Sequence, residues 1–249
     1  YLTDVLYRIV PVFYEVFGEA LAEAGLDGPL PTLLRFGTWV GGDMDGNPNV
    51  GADTIANTLA TQRAQVLSAY RGDLRALSEI LSQSPARVGI SPAILARIDH
   101  YRASLPAEGP ERARWRDMPY RALLGLMTTR LRATETGLAT GYAHADEFIA
   151  DLALIGDSLR ANHGEQGGWF AVRRVLRRAR TFGFHLATLD VRQDSRAHDV
   201  ALAALLGDDD YATRSVPERL AMLRPLLSPD VCAPRPAAAA TTTAATLSE

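Results

Sequence analysis

Apolar positions over residues 1 to 24 recur at spacings of three and four. Leu2, Val5, Leu6, Ile9, Phe13, Val16, Phe17, Ala20, Leu21 and Ala24 share one wide face, which predicts a helix closed by Gly25. Pro11 removes a backbone donor from its middle and predicts a kink or a fresh start there. From Leu33 to Val40 the period changes to two, with Leu34, Phe36, Thr38 and Val40 alternating against Leu33, Arg35, Gly37 and Trp39, which predicts a short, mostly buried strand. Gly41 to Asn49 is too rich in Gly, Asp and Asn for regular structure, so it reads as a strand-to-helix loop. Asp53 is the expected N-cap of a helix over about 55 to 82. Capping residues or first-turn prolines start further helices at Ser91-Pro92, at Pro119 and near Asp146, and 105 to 118 is a polar connector.

A helix over about 169 to 181 carries Arg173, Arg174, Arg177, Arg178 and Arg180, expected as a solvated face compensated by nearby acids, and Gly183 closes it. Phe184 to Val191 is the second expected strand. Asp194 or Ser195 caps a helix to Leu206, and Ser215 with Glu218 forms a capping box before a helix over 216 to 224. Residues 233 to 245, nearly all Ala, Thr and Pro, read as a low-complexity linker or loop. No interior boundary divides the pattern, so 1–249 is expected to be a single, incomplete domain.

Composition narrows the chemistry. The chain has 249 residues, 47% apolar, with a formal net charge of −3, which gives no electrostatic case for nucleic acid or a membrane surface. No uncharged apolar run is long enough to span a bilayer. The one cysteine, Cys232, cannot form an internal disulfide, which fits a reducing cytoplasm. All 26 basic residues are arginine, so lysine Schiff-base and lysine general-base chemistry is excluded within this segment. Tyr1 already lies inside an apolar pattern and the chain stops where a new helix could be starting, so a piece of a longer protein is expected.

Chemistry concentrates at the ends of the two expected strands. Asp43, Asp45 and Asn47 alternate as in the first half of an EF-hand loop, but Pro48 and Thr54 occupy the positions that need glycine and a bidentate glutamate, so a calcium loop is set aside. A tight turn is the plain alternative; its place after a strand favours function, because such loops carry the chemistry of α/β barrels. At the second strand end Asp190 and Arg192 are two apart and share one face. Either an acid such as Asp190 neutralises Arg192 permanently, or the guanidinium waits for a carboxylate or phosphate ligand.

At these two points the sequence resembles phosphoenolpyruvate carboxylase. Arg35-Phe36-Gly37-Thr38-Trp39-Val40-Gly41-Gly42-Asp43-Met44-Asp45-Gly46-Asn47-Pro48-Asn49-Val50 is similar to R-F-x-S-W-x-G-G-D-R-D-G-N-P-x-V. Phe182 to Ser195 with His198 is similar to F-G-x-x-L-x-x-L-D-I-R-Q-x-S-x-x-H. The resemblance implies a mainly α chain with a few parallel strands, part of a TIM-like α/β barrel and its helical insertions. It implies a lyase converting phosphoenolpyruvate and bicarbonate to oxaloacetate and phosphate with Mg²⁺ or Mn²⁺, whose ligands would lie outside this chain. Bicarbonate attacks the phosphoryl group, giving carboxyphosphate and the pyruvate enolate, and the enolate then captures carbon dioxide.

Carried over by residue, Arg192 contacts the anionic substrate and Trp39 lines the pocket around its methylene carbon. Gly41, Gly42, Asp43, Asp45, Gly46 and Asn47 shape the active-site loop, with Asp190 and Gln193 behind Arg192. The family's catalytic histidine and essential lysine would lie outside the chain, and none of His100, His144, His163, His185 and His198 has the context of that histidine. Met44 stands where the family has arginine; Thr38 and Asp194 are milder departures. The resemblance further implies a cytoplasmic, allosteric homotetramer that fixes carbon dioxide to feed the tricarboxylic acid cycle. The partners are then phosphoenolpyruvate, bicarbonate and the remainder of the polypeptide, with neither nucleic acid nor membrane, and the segment alone is expected to be inactive. The alternative is a non-catalytic helical interaction module that keeps these signatures as packing residues.

Overall fold

Helices carry the chain wherever the apolar period is three to four. The computed structural model describes residues 1–26, 28–86, 88–105, 115 and 117–227. The helices are α1 (Tyr7–Glu23), α2 (Ala52–Ile80), α3 (Pro92–Ser104), α4 (Pro119–Glu135), α5 (Ala145–Ala161), α6 (Phe170–Phe182), α7 (Ser195–Leu206) and α8 (Val216–Leu223). Cys232, the 233–245 stretch and most of the 105–118 connector lie outside the described residues.

The chain divides into two compact units, residues 1–36 with 61–187, and residues 37–60 with 188–249. The first is helical. Its core joins Tyr7, Tyr70, Phe148 and Phe182, with ring centroids 5.1 Å apart for Tyr70–Phe148 and 5.4 Å for Tyr7–Phe182. Burying an aromatic ring removes a large apolar area from water, and tilted pairs such as these add to that.

Inside the same unit, α3, α4 and α5 share a buried polar network. The carboxylate of Asp151, fully buried, accepts from the hydroxyls of Tyr101 and Tyr142 at 2.7 Å each and pairs with Arg97. Arg130 lies 3.9 Å above the Tyr142 ring and donates to Tyr101 and Glu147. Burial pushes the Asp151 carboxyl above its ordinary range, and the two hydroxyls and Arg97 oppose that shift.

Pro11 sits within α1, behind a π-helical turn over Leu2–Leu6. A proline leaves the carbonyl four residues earlier without its helical donor, and here Arg178 Nε donates to Tyr7 O at 3.0 Å. Gly25, at φ +72°, ends α1 with bonds from Gly25 N to Ala22 O and Leu26 N to Leu21 O, the paired pattern of a left-handed cap.

The basic face of α6 departs from expectation. Arg178 bonds Asp73 at 2.8 Å and Arg174 takes both oxygens of Glu15 at 2.7 and 2.8 Å, so these arginines fasten α6 to α1 and α2 rather than facing bulk water. Their acids lie far away in sequence, where no local pattern reveals them.

The second unit contains β1 (Gly37–Thr38) and β2 (Thr188–Leu189), paired in parallel with Gly37 opposite Thr188 and Thr38 opposite Leu189. The parallel pairing agrees with the expectation; the lengths and burial do not. In place of strands over 33–40 and 184–191 there are two residues each, exposed or half-buried. Leu33 and Leu34 give their N–H groups to Tyr14 Oη instead of a neighbouring strand. Residues 183–187 form a turn in which the buried Leu186 takes φ +64°. α2 begins at Ala52, which places Asp53 in its first turn rather than at its cap. Asp194 does cap α7, accepting from Arg196 N at 2.9 Å, and the Ser215–Glu218 capping box is present.

Candidate functional site: two parallel strand ends

Both chemistry-bearing segments belong to the second unit, and the parallel ladder sets them side by side. Beyond β1 and β2 it continues as Asp190 N to Thr38 O (2.8 Å), Arg192 N to Gly42 O (2.9 Å) and Met44 N to Arg192 O (2.8 Å), which makes Asp43 and Arg192 a bridged pair. One glycine, Gly42, makes this approach possible, and its neighbour Gly41 makes room for α2. A Cβ on Gly42 would stand 2.6 Å from Asp190 O, and Gly41, at φ +85°, leaves room for Thr58, whose Oγ1 would be 2.1 Å from a Cβ there.

Backbone pairing therefore chooses the partner of Arg192. Its NH1 is 3.6 Å from Asp43 Oδ2, and its Cζ is 5.8 Å from the centroid of Trp39. Asp190, the acid that strand alternation favoured, lies against Gly37 instead and makes no ion pair among the described residues. The side chain of Arg192 is 53% exposed and that of Asp43 37%, so one long contact leaves most of the guanidinium's five donors open. Trp39 is 58% exposed beside it.

Two polar atoms of the site are buried with no hydrogen-bond partner, Asp43 Oδ1 and Gln193 Nε2. Such orphans cost free energy and mark places where a ligand, a water or further protein completes a structure. The oxygen of the Gln193 amide accepts from Asp194 N at 2.8 Å.

The remaining loop residues have local duties. Asn47 Oδ1 accepts from Asn49 N at 3.1 Å, and Gly46 supplies φ +68°. Asp45, Gly46 and Asn47 are exposed. Met44, in place of the family's arginine, is buried. Among the described residues no cluster of three or more His, Cys, Asp or Glu side chains suits a metal ion.

The structure brings Arg192, Trp39, Gly41 and Gly42 to the two strand ends, and sequence reasoning missed that Asp43 is the acid facing Arg192. Parallel order and a register that sets the two loops level would have been the only clue.

The family model for phosphoenolpyruvate carboxylase matches residues 1–248. A phosphoenolpyruvate carboxylase of Xanthomonas campestris pv. campestris (strain 8004) is 51% identical over 237 residues, covering 94% of this chain and 26% of that protein. One from Burkholderia mallei (strain SAVP1) is 37% identical over 250 residues, covering 88% of this chain and 24% of that protein. The chain thus spans about a quarter of the length of these curated relatives.

Proposed function

Because the chain belongs to the phosphoenolpyruvate carboxylase family, we propose that it contributes two strand ends of a TIM-like catalytic barrel, and that the whole polypeptide carboxylates phosphoenolpyruvate with bicarbonate to oxaloacetate and phosphate. The observation carrying this reading is Arg192: an open guanidinium, held by one 3.6 Å contact to Asp43 and set beside an exposed tryptophan at a parallel strand end. A permanent structural ion pair would be shorter and more enclosed.

In this reading Arg192 binds the substrate anion through its free donors. Asp43 holds the guanidinium in place before substrate arrives, and Trp39 covers the methylene carbon so that water does not protonate the enolate. Gly42 brings the two loops close enough for this, Gly41 lets Thr58 of α2 pack against the first loop, and Gln193 keeps a free amide N–H beside them. Mg²⁺ or Mn²⁺ would supply charge stabilisation from ligands elsewhere in the polypeptide. The catalytic histidine and lysine are likewise supplied from elsewhere, so the segment alone catalyses no carboxylation. A cytoplasmic homotetramer under allosteric control is the matching assembly. No helix among the described residues is long and apolar enough to cross a membrane.

The test is Arg192→Ala in the complete enzyme. Loss of a desolvated charge contact to substrate lowers kcat/KM by a factor equivalent to about 2–5 kcal/mol, with little change in melting temperature. Strong destabilisation with near-normal specific activity in the folded fraction would remove Arg192 from the substrate site.

A further inference from the structure

α1 and α6 leave between them, with residues 28–30, a groove of about 500 Å³. It exists because Gly18 lets the 28–30 segment approach, with Leu30 Cδ1 3.2 Å from where a Cβ would be, and because Tyr14 Oη holds the next stretch through Leu33 N at 2.7 Å. Three arginines of α6 face it, Arg173, Arg174 and Arg177. At spacings of three and four they share one helix face.

Their charges are unevenly neutralised. Glu15 takes Arg174 with two bonds. Arg177 has no carboxylate partner among the described residues; its NH1 donates to Leu30 O at 2.8 Å and its Cζ lies 4.7 Å from the Tyr14 centroid. Arg173 likewise has no carboxylate partner among them and lies 5.3 Å from the Phe170 centroid. Burial, followed by repulsion from Arg180 and Arg173 and only partly opposed by Tyr14, pushes the Arg177 guanidinium below its ordinary value. Glu19, also lining the groove, is exposed and unpaired among the described residues. Among the described residues the lining thus keeps a positive excess, with guanidiniums already oriented by aromatic faces and a carbonyl.

We propose that this groove binds a compact oxyanion of the phosphate class, carried on a small molecule whose apolar flank rests on Leu30 and Phe170. Arg173 and Arg177 are four apart on one face, and each has donors left for a tetrahedral anion, the geometry that guanidinium recognises well. Charge-assisted hydrogen bonds from the two guanidiniums hold an anion there, and the anion also offsets the repulsion between them. All of these residues belong to the helical unit, whereas Arg192 belongs to the other.

Residue-resolved arginine modification tests this in the complete polypeptide. Phenylglyoxal labelling, read by peptide mass spectrometry, reports Arg173, Arg177 and Arg192 individually. Saturating inorganic phosphate is expected to slow labelling of Arg173 and Arg177 at least about fivefold, while chloride at equal ionic strength changes it less than about twofold. Arg173→Gln, at an exposed position that leaves the core intact, is expected to raise the phosphate concentration that half-protects Arg177 about tenfold. Glu19→Gln is expected to lower it. The same protection must persist in Arg192→Ala, which separates this groove from the strand-end site. Equal labelling with and without phosphate, equal protection by chloride, an Arg177 unreactive in both conditions because other parts of the polypeptide cover it, or no effect of Arg173→Gln would each overturn the proposal.

Discussion

Asp43 and Gly42 are neighbours whose side chains, one present and one absent, have different energetic weights. The Asp43–Arg192 pair is half open to solvent, and such pairs contribute about 0–1 kcal/mol. Asp43→Asn is therefore expected to move the urea midpoint of the complete protein by less than the equivalent of about 1 kcal/mol. Gly42→Ala pushes a methyl group into a backbone carbonyl at 2.6 Å, so one of the loops must shift, and a loss of about 2–4 kcal/mol is expected in the same assay. If the two variants unfold at similar denaturant concentrations, close backbone approach is not what places these loops. The glycines were legible as turn formers in the sequence. That Gly42 makes room for the other strand's backbone was not, because the crowding comes from Leu189 and Asp190, far along the chain.

At the scale of elements, α1 and α6 are held by arginines that reach across to specific acceptors. Arg178 satisfies both the carbonyl orphaned by Pro11 and the carboxylate of Asp73, and its side chain is mostly buried. Arg178→Ala leaves the Tyr7 carbonyl unpaired and Asp73 with the Tyr7 hydroxyl, 2.6 Å away, as its remaining partner among the described residues, and is expected to cost about 2–4 kcal/mol of unfolding free energy. A loss under about 1 kcal/mol would show that water replaces the guanidinium there.

The Glu15–Arg174 pair adds a pH dependence. The hydrogen bonds from Arg174 hold the Glu15 carboxyl below its ordinary range, so the folded state prefers the ionised form. The stabilisation is fully present above the ordinary glutamate range and is lost as pH falls through the lowered folded value. Glu15→Gln is expected to flatten the acid arm of the stability curve by about 0.5–1 kcal/mol, modest because Arg174 is partly exposed. An unchanged acid arm would dissociate this pair from α1–α6 docking. Helix positions were readable from apolar periods, and the Ser215–Glu218 box from four residues alone. The duty of the α6 arginines was not, since a basic helix face reads the same whether its partners are water or another helix.

For the chain as a whole, apolar surface is unfinished. Tyr1, Val5, Ile9, Phe13 and Val16 form an exposed stripe along the first helix, and Trp39, Val40 and Val191 are exposed around the strand ends. Stripes of this kind bind other apolar surface, and among the described residues the two-strand parallel sheet has no further strand on its outer edges. The isolated chain is expected to associate with rising concentration in sedimentation velocity, and Val5→Glu with Ile9→Glu to reduce that association. A chain that stays monomeric at about 100 µM would show these faces to be tolerated in water.

What the sequence determined by itself is what short-range rules govern: helix type and approximate bounds from the apolar period, caps from Ser215, Glu218, Asp194 and Gly25, and the two motifs that carry the family. Strand length was beyond it. Alternation over 33–40 and 184–191 is equally compatible with extended chain whose N–H groups go to Tyr14, or with a turn through Leu186, and only the partners present in space decide. The identity of the acid facing Arg192 was likewise a tertiary decision. Two residues along a strand bring Asp190 to the same side, but the parallel register brings Asp43 level with Arg192, and hydrogen bonds between backbones separated by most of the chain set that register.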